Sequence, residues 1–309
     1  MLKNLGGWGK IIMVNKLVEI VGRQNVKIGE PLSNHCTFGI GGRADFFVTP
    51  DNFDSLNKVM YFAKLMRKKY LVVGRGSNCL FDSDGFAGII ISTEKLCGIT
   101  NLGQGYFEIL AGSTLAEVVG YTSNLGYGGF EFASGIPGSV GGAIVMNAGA
   151  NGHETCEFVR YVTYYEQGER KTKRAEELNF AYRTSYFALH PECIVASVVI
   201  KLKKEQPKII YGRILELVAK RRQTQPIGRS AGCVFKKCGD MPAGLLIDRC
   251  GLKGVKIGGA EISPVHANFI INTDGATSGD VLNLIDLIRL QVKNKYDKDL
   301  ELEIEVIKK

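Results

Sequence analysis

The sequence predicts an α/β protein of two or three domains, and three observations lead there. At 309 residues the chain exceeds the roughly 250 residues at which a single hydrophobic core stops growing. Segments with helical spacing alternate along it with short β-branched and aromatic runs. A break at Gln223-Thr-Gln-Pro-Ile-Gly228 then sets off a final α/β unit.

Taken in order, Met1 to Ile12 read as irregular, and a helical pattern (Leu17, Val18, Ile20, Val21) follows Met13, which makes Met13 a candidate native start. Asp51 to Lys69 carries Phe53, Leu56, Val59, Met60, Ala63 and Met66 at helical spacing behind an aspartate suited to capping. The strand-like Tyr70 to Val73 follows. Ile89 to Ile91 and Phe107 to Ala111 read as strands, and Thr114 to Leu125 as a helix stopped by Gly126. Phe158 to Tyr165 and Ile194 to Leu202 again alternate as strands do. A helix over Lys208 to Arg222 leads into the break. Beyond it the pattern gives a short strand at Gly232 to Lys236, a helix at Ala243 to Arg249 and a strand at Asn268 to Asn272. A helix at Ser278 to Lys295, capped by Thr277 or Ser278, and a terminal strand at Leu300 to Ile307 complete the chain.

Composition excludes several classes. The longest early apolar run, Ile11 to Val14, is too short for a signal-peptide core or a membrane helix of about 20 residues, so a cytoplasmic protein without membrane insertion is expected. The eight cysteines form no C-x-x-C pair and read as small core residues in a reducing compartment. His35, His153, His190 and His266 have no partner at metal-ligand spacing, so no metal site is expected. The net charge of +8 suits an anionic partner. Basic residues are dispersed, however, with one dense cluster at Lys220-Arg221-Arg222, and no nucleic-acid motif accompanies them. A small anionic substrate accounts for the charge equally well.

The most restrictive stretch runs from Ser134 to Ala150. Gly135, Gly138, Gly141 and Gly142, with Pro137, leave little side chain above the backbone, so a pyrophosphate can lie against peptide N–H groups. Tight turns alone give the same composition. No Lys-Ser/Thr follows, which excludes a P-loop. After the strand-like Tyr70 to Val73, Gly74-Arg-Gly76 has Cys79 where a Rossmann fingerprint needs its third glycine, and no helix opens behind it.

Several further motifs stand in a fixed order. They are Asn34-His-Cys-Thr-Phe-Gly-Ile-Gly-Gly-Arg-Ala44, Val73-Gly-Arg-Gly-Ser-Asn78, Ala111-Gly-Ser-Thr-Leu115, Ser134 to Gly142 and Met146-Asn-Ala-Gly-Ala150. Tyr182-Arg-Thr-Ser-Tyr-Phe187, Ser230-Ala-Gly-Cys-Val-Phe-Lys236, Ala243-Gly-Leu-Leu-Ile-Asp248, Gly258-Gly-Ala260, His266-Ala-Asn-Phe269 and Leu302-Glu-Ile-Glu-Val306 follow. Together they resemble the UDP-N-acetylenolpyruvoylglucosamine reductases (MurB), flavoenzymes of bacterial peptidoglycan synthesis, in the shorter form of that family. The resemblance implies three domains. A small first domain spans 1–72 and is joined by the terminal strand at 300–309. An FAD-binding domain of the vanillyl-alcohol-oxidase/PCMH type spans 73–206, and a small α/β substrate-binding domain with its leading helix spans 207–299. It implies non-covalent FAD, NADPH as hydride donor, a UDP-sugar substrate, and a monomer or weak dimer.

The resemblance also assigns residues. Ile40, Gly41 and Gly42, the loop of Gly74, Arg75, Gly76, Ser77 and Asn78, and Asn147, Ala148 and Gly149 surround the cofactor. So does the stretch of Ser134, Gly135, Ile136, Pro137, Gly138, Ser139, Val140 and Gly141. In the implied reaction, hydride passes from NADPH to FAD and then to an enolpyruvyl carbon, and the neighbouring carbon takes a proton. Charge builds toward an enolate, so the site needs a cation at the carboxylate and an acid over that carbon. Arg183 matches the cation, whose forked donors suit a carboxylate. Glu305 matches a glutamate that stabilises the intermediate, although a shift of two residues would select Glu303. On pattern alone Glu301, Glu303 and Glu305 share one solvated face of the terminal strand. Cys233 stands where many members carry the serine proton donor, and a thiol with pKa near 8.5 remains competent, with oxidant sensitivity expected. Tyr182, Arg222 and Lys237 are candidate substrate contacts, Lys237 replacing an asparagine, with Lys220 and Arg221 beside Arg222 left open as further candidates. A covalent-flavin oxidase of the same superfold and a binding module without catalysis are the competing readings.

Overall fold

Helix begins earlier than the pattern indicates. Gly7–Val21 is one helix in this computed structural model, which describes residues 7–309, so 7–12 are helical rather than irregular. The remainder of the stretch read as irregular lies outside the described residues. Met13, Leu17 and Val21 recur every four residues and share the buried face. The next helix, Phe53–Leu65, is capped by Asn52 and not by Asp51, with Asn52 Oδ1 accepting from the Ser55 N–H at 2.8 Å. Such a cap contributes about 1 kcal/mol.

These two helices pack on a four-stranded sheet ordered Val26–Pro31, Arg43–Val48, Phe86–Ser92, Lys69–Val73. The first pair is antiparallel, and Phe86–Ser92 pairs in parallel with both neighbours. Parallel strands require a crossover, which Phe53–Leu65 supplies. Leu17, Leu56, Val59, Ile89 and Ile91 fill the helix side and Leu32, Phe47, Phe81 and Ile90 the other. Each such side chain stabilises by roughly 1.5–3 kcal/mol relative to exposure. The inner strand Phe86–Ser92 lies past residue 72, where the sequence reading ends its first domain.

A second, antiparallel sheet is ordered Glu169–Arg174, Val159–Glu166, Ile194–Lys201, Tyr106–Leu110, Ile99–Gly103. Against it pack Leu115–Asn124, closed by a capping box between Thr114 and Glu117, and the short helix Val140–Met146. The long helix Pro207–Thr224 starts on a proline whose missing N–H has no partner to lose there. Its Arg213 pairs with buried Glu131 and with Glu205, fixing the helix to the glycine-rich half.

The last sheet has three short strands, Lys256–Ile257, Ala260–Ile262 and Ile270–Asn272, covered by Ala243–Arg249 and Ser278–Tyr296. Two expectations fail here. Gly232 to Lys236 forms no strand, only single bridges of Cys233 with Phe269 and Phe235 with Leu302. The terminal strand shortens to Glu305–Ile307, parallel to Cys79–Phe81, because the chain bends at Ile304. Backbone pairing thus changes partner within six residues: Glu303 N–H donates to Val234 O, and Glu305 N–H to Asn78 O, both at 2.8 Å.

Candidate active site

Two sets of residues converge at this junction. The first is built from backbone. Gly76 is left-handed at φ 59, and a Cβ there would overlap the His35 carbonyl oxygen. A Cβ on Gly74 would overlap Ser139 Oγ. The loops at 34–37, 74–78 and 134–139 therefore close on one another only with glycine at these points. They line a cleft of about 450 Å³ whose walls include His35, Cys36, Arg75, Ile136 and Gly138, within the range of about 300–1,000 Å³ usual for cofactor sites. Among the described residues, the N–H groups of Arg75, Gly76, Ser77, Gly138 and Ser139 donate to no backbone carbonyl. Those free donors and glycine walls fit a diphosphate-bearing cofactor such as FAD.

The cradle is shorter than the sequence suggests. Val140 and Gly141 donate their N–H groups to Ser113 and Ala111, each at 2.8 Å, and Ser139 caps the helix behind them by accepting from Gly142 N–H. Ile40 is buried in the core of the last unit, and a Cβ on Gly42 would overlap Ser83 O. This segment supports the cleft by packing. Asn78 likewise turns away, its Nδ2 donating to Glu303 O at 2.9 Å.

The second set is built from side chains. Ala181 and Thr184 exchange backbone hydrogen bonds at 3.1 and 3.2 Å, making a tight turn with Tyr182 and Arg183 at its centre. Arg183 sits at φ 56, a left-handed conformation that costs a non-glycine residue about 1–3 kcal/mol and recurs at functional sites. Its Nε donates to Glu303 Oε1 at 2.6 Å and its Nη2 to Gly149 O at 3.1 Å. Both partners are largely buried, with side chains 17% and 15% exposed. Burial raises the Glu303 carboxyl above its ordinary pKa, and Arg183 opposes that rise.

Cys233 completes the cluster. Val234 N–H donates to Asn268 O at 2.8 Å, and the Asn268 side chain bonds the Phe235 backbone in both directions, at 3.0 and 2.8 Å. Val234 O in turn accepts from the Glu303 N–H at 2.8 Å, which brings the Cys233 segment to Glu303, and the charges of Glu303, Arg183 and Arg221 act on the thiol. Burial pushes its pKa up to about 12; Glu303 acts in the same direction, whereas Arg183, Asn268 and Arg221 oppose. A thiol so held is protonated at neutral pH. Raising the pKa argues against the expected oxidant sensitivity, because thiolate is the reactive form.

Three sequence assignments need correction. Glu305 is exposed and its backbone pairs with Cys79, so Glu303 takes the place beside Arg183. The bend at Ile304 breaks the alternation that put the three glutamates on one face. Arg222 is exposed, whereas Arg221 is half-buried with its charge desolvated, and a Cβ on Gly135 would lie 2.5 Å from Arg221 Cδ. Arg221 lines a second cavity of about 170 Å³ with Ser134, Gly149, Asn151 and Lys220, across the glycine-rich loop from the large cleft. Asn147 is fully buried and presents no surface to a ligand. The Tyr182 ring lies 4.9 Å from the Arg183 guanidinium and 4.6 Å from the Lys237 ammonium. Lys237 N–H also donates to the Tyr182 hydroxyl at 3.3 Å.

Among known proteins, residues 44–169 match the family model described as FAD binding domain. Residues 223–307 match the one described as UDP-N-acetylenolpyruvoylglucosamine reductase, C-terminal domain. The reductase of Protochlamydia amoebophila is 44% identical over 279 residues, covering 88% of this chain and 90% of its own. That of Bacillus subtilis is 36% identical over 284 residues, covering 91% and 94%. The crystal structure of the Thermus caldophilus enzyme superposes with a TM-score of 0.78 at 34% identity, over 91% of this chain and 98% of that one. p-Cresol methylhydroxylase, at 14% identity and a TM-score of 0.52 over 97% of this chain and 67% of its own, shares the fold. No described helix is long and apolar enough to cross a membrane. With relatives this similar over nearly its whole length, the chain belongs to the UDP-N-acetylenolpyruvoylglucosamine reductase family.

Proposed function

We propose that the chain reduces UDP-N-acetylglucosamine enolpyruvate to UDP-N-acetylmuramate with NADPH, as an FAD enzyme of peptidoglycan precursor synthesis. The observation that carries this reading is the convergence of Arg183, Glu303 and Cys233 beside a glycine-walled cleft. Eight free cysteines support a reducing, cytoplasmic setting. We take the active unit to be a monomer or weak dimer.

Bound FAD supplies two-electron chemistry, accepting hydride from NADPH and donating it to an activated carbon. The loops at 74–78 and 134–139 hold its diphosphate through their free N–H groups. Arg183 receives the substrate carboxylate. With Nε on Glu303 and one Nη2 proton on Gly149, its Nη1 group and second Nη2 proton remain for that carboxylate. As negative charge grows there, a fixed guanidinium in a half-buried site stabilises it more than water does. Glu303 orients the guanidinium and Cys233 gives its proton to the adjacent carbon. The thiolate left behind faces the cations Arg183 and Arg221. In this reading Tyr182, Arg221 and Lys237 take the nucleotide diphosphate.

Anaerobic visible spectroscopy of the FAD-loaded protein tests this reading. Flavin bands that bleach with NADPH and return on adding the enolpyruvyl UDP-sugar support it. Failure to reconstitute with FAD, or reduced flavin that ignores the sugar, overturns it.

A further inference from the structure

The family resemblance implies that Asn147 lies beside the cofactor, yet the residue is 0% exposed. It terminates the helix Val140–Met146 in the left-handed conformation, φ 43 and ψ 58, which asparagine tolerates better than most residues. Its side chain is committed inward. Nδ2 donates to Glu154 Oε2 at 2.8 Å and to the Ala181 carbonyl at 3.1 Å, and Oδ1 accepts from the Cys156 N–H at 3.1 Å.

Ala181 opens the turn that presents Arg183. Its carbonyl accepts from both the Thr184 N–H that closes the turn and Asn147 Nδ2. On the far side of the turn, Ser185 Oγ donates to the Val145 carbonyl at 2.8 Å. One helix end therefore grips the turn at two points, with the left-handed Arg183 between them. A side chain in that conformation persists only where its surroundings over-determine it. Glu303 and Gly149 hold the guanidinium, and these tethers hold the backbone beneath it.

We propose that Asn147 is a positioning residue for Arg183, acting through the Ala181 carbonyl, and not a cofactor ligand. This rests on the reading of Arg183 given above. Two variants test it in the FAD-loaded enzyme. Asn147→Gly keeps the left-handed backbone and deletes the tether. Asn147→Asp keeps the volume and the acceptor for Cys156 but loses the donor to Ala181.

In both, stopped-flow reduction by NADPH and flavin content stay within about twofold of wild type, because neither needs Arg183. Reoxidation by the enolpyruvyl UDP-sugar slows about tenfold or more, and calorimetric affinity for that sugar falls in parallel. Adding Asn147→Gly to Arg183→Lys costs nothing beyond Arg183→Lys alone, since the two act as one unit. Wild-type reoxidation in both Asn147 variants, or a fully additive double variant, overturns the proposal. Loss of flavin from Asn147→Gly, which brings no charge against Glu154, does so too, by showing a cofactor-holding role. Wild-type reoxidation in Arg183→Lys alone overturns the reading of Arg183 and this proposal with it.

Discussion

The cleft and the side-chain cluster adjoin one another but obey opposite rules. The cleft is lined by Gly74 and Gly138 and closed by Gly76 against His35, and at these loops it offers peptide N–H groups whose exposure depends on glycine. The cluster takes its chemistry from three side chains on distant parts of the chain, Arg183, Cys233 and Glu303, aligned by backbone bonds among the segments that carry them. The first site therefore fails when an atom is added, and the second when a charge is removed.

The sharpest break of that contrast exchanges one atom in the cluster. Glu303→Gln preserves shape and removes the charge that holds Arg183 Nε at 2.6 Å. Turnover should fall about a hundredfold or more, the scale for losing one oriented electrostatic partner at a reacting centre. Glu305→Gln, on an exposed side chain two residues away, should leave turnover within about twofold, as ordinary surface changes do. Steady-state kinetics of both variants decides the matter. Equal losses would return Glu305 to the site and dissolve the cluster as described.

The same contrast explains what the sequence disclosed. Glycine at positions that cannot bear a Cβ is a signal written in composition, so the stretch from Ser134 stood out without knowing what packs against it, whereas the loop at 74–78 became a cofactor loop only through the family resemblance. The helices at Phe53–Leu65 and Leu115–Asn124 were legible for a related reason: spacing and caps are local. Glu303 was not, because the bend at Ile304 follows from pairing first with Val234 and then with Asn78, neither of which is near it in sequence. Gly232 to Lys236 misled similarly, being held by Asn268 and Leu302 instead of a continuous ladder. The choice of Arg221 over Arg222 required knowing which helix face meets Gly135.

Adding an atom to the cleft gives the next largest effect. Gly76→Ala puts a Cβ onto the His35 carbonyl and strains a left-handed residue, a destabilisation of about 1–3 kcal/mol. The purified protein should lose most of its flavin, read as the ratio of visible to ultraviolet absorbance. Gly120→Ala is the matched control, in the helix Leu115–Asn124 with open space around it. It should retain flavin and gain about 0.4–1 kcal/mol. If both variants kept full flavin, the cleft would not depend on its glycine walls.

The smallest effect concerns Cys233, where an exchanged atom should matter little if the group acts, as proposed, as a neutral acid. With its pKa pushed up to about 12, almost none of this thiol is thiolate at neutral pH. Peroxide should therefore label exposed Cys97 well before Cys233, as read by mass spectrometry of differentially alkylated protein. Cys233→Ser should keep turnover within about tenfold, since a hydroxyl can occupy the same donor position. Linkage gives a second readout. An unfolded thiol ionises near 9.0, whereas the folded one holds its proton to about 12. Between those values the native state binds more protons than the unfolded state, so stability present below pH 9 declines as pH rises through the window. Urea midpoints at pH 8 and pH 10 should fall more steeply in wild type than in Cys233→Ser, which has no thiol to ionise. Equal slopes, or early oxidation of Cys233, would make the thiol a reactive group and reverse its assignment as a neutral donor.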